Sequence, residues 1–187
     1  QGDSSSIPAN NWIQRTSLSG SARSEAISFS IDGKGYIGMG FSSTLNDFWE
    51  YNPVNNVWSQ KANFTGPTPR IKAVGFAIGT KGYVGTGFSG SIRYNDFWEY
   101  NPTTNQWRQV VDLPVRTSSA GPDLPWGRSD AVSFVIDGYA YVGGGRVGAT
   151  DLNDFWRFTA PNPVDTLGKW EYVSYFDKGL ARQEAVG

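Results

Sequence analysis

The 187-residue chain contains no cysteine and no histidine. Without cysteine it can form neither disulfides nor thiolate metal sites, and it has no thiol nucleophile. Without histidine it lacks the usual general base and the commonest protein ligand of zinc and copper. We therefore expect no metal and no cofactor, and no catalysis that depends on cysteine or histidine.

The chain also lacks an excess of charge of either sign, and it lacks long apolar runs. Lys+Arg is 16 and Asp+Glu is 17, so the formal net charge is −1. This near-neutral balance lacks the electrostatic footprint of a nucleic-acid binder. No apolar run is long enough to span a bilayer, so we expect no membrane span. Residues 1–6 have no basic or apolar segment typical of a signal peptide. They suggest a secreted or cell-surface protein whose signal peptide is already removed.

A repeat of about 50 residues dominates what is present. The sequence Asn-Asp-Phe-Trp-Glu-Tyr-Asn-Pro at 46–53 recurs at 95–102, and a weaker copy, Asn-Asp-Phe-Trp-Arg-Phe, stands at 153–158. A glycine pair precedes each copy, a tryptophan follows it, and Arg-x-x-Ala opens each unit. The opening arginines are Arg23, Arg70 and Arg128.

Each unit predicts four short strands. In the first strand Ile27, Phe29 and Ile31 alternate with small residues, and this period of two indicates a strand. The division into large and small side chains suits a sheet packed on both faces, with the large face of one sheet meeting the small face of the next. Turns are predicted at Asp32-Gly33, at Thr80-Lys81-Gly82 and at Asp137-Gly138.

The glycine pair after an apolar strand, followed by Tyr51 and Trp58 and again by Tyr100 and Trp107, resembles the kelch-repeat family of β-propellers, with repeats of bacterial type. The third unit departs from the motif, because Phe158 replaces the tyrosine and its turn is longer. The resemblance implies an all-β kelch propeller with three complete four-stranded blades. Their predicted limits are 23–61, 70–111 and 128–173.

Two further segments predict partial blades. Residues 11–18, which contain Trp12, match a fourth strand and are interpreted as the outer strand of the closing blade. Residues 182–187 match the start of a first strand of a further blade. Two copies that shared such a blade would lack its middle strands and leave backbone groups unpaired. We therefore expect the chain to be part of a longer ring of about six blades.

The loops between second and third strands share one face of the ring, the loop face, with the connections between blades. These loops differ among the copies, and variable loops on a rigid scaffold usually carry binding. They are residues 41–45, 88–94 and 146–152, together with the long stretch 113–127.

Arginines are the main ligand candidates on this face. Arg23, Arg70 and Arg128 either bond neighbouring backbone carbonyls or form a cationic ring for an acidic ligand, since guanidinium groups match carboxylates. Arg93 and Arg146 lie outside the repeat and favour a ligand. Trp126 is interpreted either as a ligand-stacking aromatic or as a loop plug. The remaining candidates are Tyr94 and Arg116.

Other repeated residues are expected to be structural. The repeated tryptophans predict packing between blades, and Asp47, Asp96 and Asp154 predict turn caps. We expect a non-catalytic scaffold that binds a protein or a glycan through the loop face. An alternative is a propeller enzyme, mutarotase- or oxidase-like, that acts on an acidic sugar with site residues partly in unseen blades. A third interpretation is a subunit of a larger cell-envelope assembly.

Overall fold

The computed structural model describes residues 12–42, 45–114 and 127–175. Within these ranges every regular element is a β-strand, and no helix long and apolar enough to cross a membrane is found there. Three four-stranded antiparallel sheets follow one another along the chain. The prediction of an all-β fold built from three four-stranded blades is confirmed.

Each blade is an antiparallel meander whose strands follow chain order, and two of the loops add a small hairpin. Blade 1 contains β1 (Ile27–Ile31), β2 (Lys34–Gly38), β3 (Phe48–Asn52) and β4 (Val57–Lys61). Blade 2 contains β5 (Val74–Ile78), β6 (Lys81–Gly85), the loop hairpin β7 (Phe88–Ser89) and β8 (Ile92–Arg93), then β9 (Phe97–Asn101) and β10 (Gln106–Val110). Blade 3 contains β11 (Val132–Ile136), β12 (Tyr139–Gly143), the loop hairpin β13 (Arg146–Val147) and β14 (Thr150–Asp151), then β15 (Asp154–Thr159) and β16 (Lys169–Tyr175).

Two-residue turns join the first two strands of every blade. Asp32 and Gly33 both have positive φ, of 48° and 72°, as the tight turn of a twisted hairpin requires. The corresponding turn of blade 2 is Gly79-Thr80, because Lys81 already pairs with Ile78. The predicted position of this turn, one residue later, is therefore wrong.

The interface between blades 1 and 2 pairs large side chains with small ones. A Cβ built on Gly82 would lie 2.3 Å from Cζ of Phe29, so the glycine leaves the space that this ring occupies. Farther out, the rings of Phe48 and Trp107 meet with their centroids 5.0 Å apart. Large and small faces thus meet as the strand alternation predicted.

The interface between blades 2 and 3 has the same design. Phe76 and Tyr83 of blade 2 pack against Ala140 and Phe158 of blade 3, and all four are buried.

The prediction that the repeat tryptophans pack between blades is confirmed for four of them, which belong to the two core clusters. They are Trp98, Trp107, Trp156 and Trp170. The prediction is wrong for Trp12, which is fully exposed, and Trp49 and Trp58 lie in neither cluster.

The large face of blade 3 is open within the residues that the structure describes. Phe134 and Ile136, which correspond to buried residues of blade 1 or 2, are 37% and 52% exposed. The phenylalanine still stacks within its own blade on Tyr141, at 5.4 Å between centroids. In blades 1 and 2 the corresponding large face is covered by the blade that follows.

Residues 12–18 form no strand, and Trp12 is fully exposed. The segment nevertheless reaches blade 1, because Trp58 Nε1 donates a hydrogen bond to the carbonyl of Thr16 at 3.0 Å. Trp107 and Trp170 donate in the same way to Ala62 and Val111, which directly follow the outer strands of the preceding blades. The outer strand of a closing blade stays a prediction here, and residues 182–187 lie outside the described residues.

Candidate functional site

The arginine that opens each unit forms a buried ion pair inside its own blade. Arg23 donates from both Nη atoms to the two carboxylate oxygens of Asp47, at 2.7 Å each. Arg128 donates in the same two-pronged way to Asp154, at 2.8 and 2.7 Å. One Nη also donates to a backbone carbonyl, of Met39 in blade 1. Such charge-assisted forks are among the stronger hydrogen bonds in proteins.

Arg70 of blade 2 is the most enclosed of the three. It forks onto Asp96 and also donates to the carbonyl of Thr86. Its guanidinium carbon lies 4.1 Å from the ring centroid of Tyr94 and 5.2 Å from that of Phe64. Its side chain has no exposed surface. Ion pairing and aromatic stacking together hold this arginine inside the fold.

The aspartates of the repeated motif are ion-pair partners, and their prediction as turn caps is wrong. Each accepts the arginine fork and, in addition, a hydrogen bond from the indole two residues later. The indole donors are Trp49, Trp98 and Trp156, at 2.6, 2.8 and 2.6 Å. Turn capping failed as an explanation because it considers only the local chain, whereas the arginine arrives from the start of the blade.

The electrostatics of blade 1 follow from this arrangement. Hydrogen bonds from Arg23 hold the pKa of Asp47 below its ordinary value, and burial opposes the effect only in part. The side chain of Arg23 is 3% exposed and that of Asp47 18%. Arg23, Arg70 and Arg128 therefore have their Nη donors committed to internal partners, and their role as ligand-binding groups stays a prediction that the geometry does not favour.

Arg93 and Arg146 meet at one serine on the loop face. Arg93 Nε donates to Ser129 Oγ at 3.1 Å, and the backbone of Ser129 pairs with that of Arg146 in both directions, at 3.1 and 2.9 Å. Arg146 Nε stands 3.6 Å from a carboxylate oxygen of Asp151, too far for a hydrogen bond. The fold thus brings both non-repeat arginines, from different blades, into contact with Ser129, Arg93 through its side chain and Arg146 through its backbone.

Of the other three predicted ligand residues, the structure describes one. Tyr94 is partly buried; its ring stacks on Arg70 and its hydroxyl accepts a hydrogen bond from Thr68 Oγ1 at 2.6 Å. This places Tyr94 between the buried ion pair and the loop surface. Arg116 and Trp126 lie outside the described residues.

A charged cluster at the start of the inner strands escaped the sequence analysis. Lys72 Nζ lies 2.7 Å from Asp130 and 3.9 Å from Glu25, so three successive blades meet there. The three residues share one position, two after each opening arginine, and all have positive φ, of 55–60°. Comparing residue types at that repeated position would have revealed the charges. It could not have revealed their contact.

The repeated glutamates, the nearest candidates for acid–base chemistry, lie within the sheets. Tyr36 donates to Glu50 at 2.6 Å, and Lys34 and Lys61 stand at 3.1 and 3.3 Å. Burial raises the pKa of Glu50, but these partners outweigh it and hold the pKa below the ordinary value. In the described ranges, no three acidic residues come together as a metal-binding group.

Comparison with known proteins identifies the family. The model of the KLHDC2/KLHL20/DRC7 Kelch-repeats domain matches residues 21–175. The chain belongs to this kelch-repeat family. A solved structure titled "Structure of YjhT" superposes with a TM-score of 0.74 at 16% identity, over 92% of this chain and 58% of that one. No curated protein sequence matches.

These likenesses establish the kelch propeller fold and support a protein-binding scaffold in general terms. At 16% identity the superposition speaks for the fold alone, and the chain spans only 58% of the length of that structure. One fold supports many functions, so function must be argued from the loop face itself.

Proposed function

We propose that this kelch chain is a non-catalytic scaffold that binds an acidic group of a protein partner through its loop face. The observation that carries the proposal is the pair Arg93 and Arg146 around Ser129. The opening arginines direct both Nη atoms at internal carboxylates. Among the described residues, the Arg93 side chain makes one hydrogen bond, through Nε. The Arg146 side chain is 33% exposed; its Nε is buried beside Asp151, so only its Nη atoms are offered to a ligand.

The chemistry of these two side chains suits carboxylates. A guanidinium presents its donors in a planar fork that matches the two oxygens of a carboxylate. A hydrogen bond that involves a charged group contributes about 1.5–3 kcal/mol. Asp151 lies near Arg146 and Asp130 accepts from Ser129, so the site holds both signs and a ligand must compete with internal acids.

The alternative enzyme acting on an acidic sugar receives less support. Glu50 accepts from a tyrosine and lies beside two lysines, while Glu99 accepts from Tyr83 at 2.9 Å and from Arg108 at 2.7 Å. Internal donors thus occupy both carboxylates, and in Glu50 they hold the pKa below its ordinary value, which makes it a poor general acid.

The proposal also covers a glycan as the ligand. It further includes a secreted or cell-surface location and membership of a larger cell-envelope assembly. A glycan that carries a uronic or sialic carboxylate offers the same acidic group to the arginine pair. The location rests on composition alone.

The test is a paired screen of the purified chain on a glycan array and on a displayed library of random peptides. We expect acidic ligands, with binding that weakens between about 0.05 M and about 0.5 M salt because exposed charges are screened. Arg93→Gln with Arg146→Gln should weaken binding at least about tenfold.

The matched control is Lys169→Gln, which removes one cation at the start of β16, on the opposite face. It should leave binding unchanged. Ligands that bind the doubly substituted chain as well as the original would contradict the arginine site. Turnover of any sugar would contradict the non-catalytic scaffold and support the alternative enzyme.

A further inference from the structure

A groove of about 300 Å³ separates the loops of blades 1 and 2 on the loop face. Its volume is at the lower end of the range for binding pockets, and it suits one or two side chains. Apolar groups form most of its walls. The lining side chains that the argument uses are Phe41, Leu45, Pro69, Ile71 and Phe88.

Backbone hydrogen bonds fix both walls of this groove. Phe41 exchanges two with Ser24, at 3.0 and 2.7 Å, and Phe88 exchanges two with Ile71, at 3.0 and 2.9 Å. Between the walls, Gly40 N donates to the carbonyl of Arg70 at 3.2 Å. The two blades are thus tied together beneath the opening, and a ligand would meet a preformed surface.

The walls of the groove are apolar and partly exposed, and a positive charge stands at one end. Phe41 is 62% exposed although it lines a concave surface. Among the described residues that line the groove none is acidic, and the charge of the one cation, Arg70, is balanced by Asp96. Beside the groove, the guanidinium carbon of Arg93 lies 5.3 Å from the ring centroid of Phe88. The groove is therefore apolar inside and positive at one end.

We infer that this groove binds a peptide segment of a partner protein in which a large apolar side chain stands beside an aspartate or glutamate. The apolar side chain occupies the groove against Phe41 and Phe88, and the carboxylate reaches Arg93. The inference rests on the proposed function and adds the position and chemistry of its ligand.

A peptide fits this surface better than a glycan does. Sugars need several hydrogen-bonding groups in the binding site, whereas the hydroxyl of Ser89 is the main polar side-chain group that lines the groove beside the internally paired Arg70. Buried apolar anchors next to a charged partner are typical of the few residues that dominate protein interfaces.

The experiment selects binders from displayed random peptides and measures the affinity of a synthetic copy of the most enriched one. We expect a phenylalanine, tyrosine, tryptophan or leucine adjacent to an acidic residue. Phe41→Ser should weaken this peptide at least about tenfold, and Arg93→Gln by about tenfold with a reduced dependence on salt.

Ile92→Ser is the matched control. Ile92 is 56% exposed on the neighbouring hairpin but does not line the groove, so its loss should change affinity less than about twofold. Leu45→Ser is a second groove variant, and circular dichroism of each variant establishes that it is folded.

The outcomes separate the two proposals. In one outcome, peptides lose affinity with Arg93→Gln and Arg146→Gln but keep it for the Phe41→Ser and Leu45→Ser variants. That result would contradict the groove and support the loop-face scaffold. Selection of acidic peptides without an apolar neighbour also overturns the groove. Failure to bind any peptide or glycan overturns both proposals.

Discussion

The arginines that recur in every blade and those that occur only in the loops differ in what surrounds them. Arg70 and Arg128 have side chains that are 0% and 5% exposed, and each forks onto a carboxylate of its own blade. Arg146 has a side chain that is 33% exposed and stands 3.6 Å from its nearest acid. Within the described part of the chain, the Arg93 side chain contacts a serine hydroxyl and an aromatic ring.

This difference matches the structural role of the repeated arginines and the binding role proposed for the loop arginines. A residue repeated in every blade meets the same internal partner in each of them, because the blades share one backbone. The two loop arginines form no such forked pair among the described residues, which is why they are the ones proposed to bind a ligand. Three measurements test that division and one tests the covered and open faces of the blades, beginning with the largest expected effect.

Removing a repeated arginine should destabilise the fold severely. Arg128→Met leaves Asp154 buried without a cation, and breaking a buried pair in this way costs about 3–5 kcal/mol. The free energy of unfolding in urea measures the loss. The double substitution Arg128→Met with Asp154→Asn should recover part of it, since the uncompensated charge is gone. A loss below about 1 kcal/mol, as for a surface pair, would remove the distinction between the two sets of arginines.

Truncating equivalent phenylalanines should distinguish covered blade faces from the open one. Phe76→Ala should cost about 3–5 kcal/mol, because Phe76 is 4% exposed between blades 2 and 3. Phe134→Ala should cost clearly less, because 37% of that residue is already exposed. Urea unfolding of both variants makes the comparison. Equal losses would mean that another blade, another copy or a partner covers blade 3 in solution.

Acid should weaken blade 1 through the carboxylate that Arg23 holds. The folded pKa of Asp47 is lowered, so the folded state binds fewer protons than the unfolded state near the ordinary value of about 3.9. The resulting stability is present above that value and is lost as pH falls through the folded pKa. Asp47→Asn should therefore flatten the acid part of the stability curve, measured as urea midpoints from neutral to acidic pH.

The control for the acid measurement is Asp32→Asn. Asp32 is exposed in the tight turn after β1 and forms no ion pair among the described residues, and asparagine tolerates its positive φ. An equal flattening by both substitutions would show that the Arg23 pair is not the cause.

The loop arginines should contribute least to stability. Arg93→Gln and Arg146→Gln should each change the free energy of unfolding by less than about 0.5 kcal/mol, as surface substitutions usually do. The same urea measurements give the answer. A loss near that of Arg128→Met would make these residues structural and would withdraw the main support for the binding face.

Much of the fold could be predicted from short-range patterns. The alternation of Ile27, Phe29 and Ile31 with small residues fixes which side of the strand is bulky, because successive side chains point to opposite faces. The one misplaced turn arose where glycine stood on both sides, at Gly79 and Gly82, and pairing of Lys81 with Ile78 decided between them. Local composition cannot resolve such a shift.

The site was predictable only in part. Position within the repeat singled out Arg93 and Arg146 as exceptions, and the structure places both at Ser129. The same reasoning assigned Asp47 to a turn, since nothing in its immediate sequence names Arg23 as its partner. The two are brought together by the return of the chain through β2.

The sequence by itself determined that this chain is a kelch protein made of four-stranded blades with bulky and small faces. Periodicity carries that information because each strand and turn is specified by residues close together in the chain. The tertiary structure alone decided which arginines form ion pairs with internal carboxylates and which lie on the loop face. It also created the groove between Phe41 and Phe88, because a surface shared by two blades exists only once they are packed together.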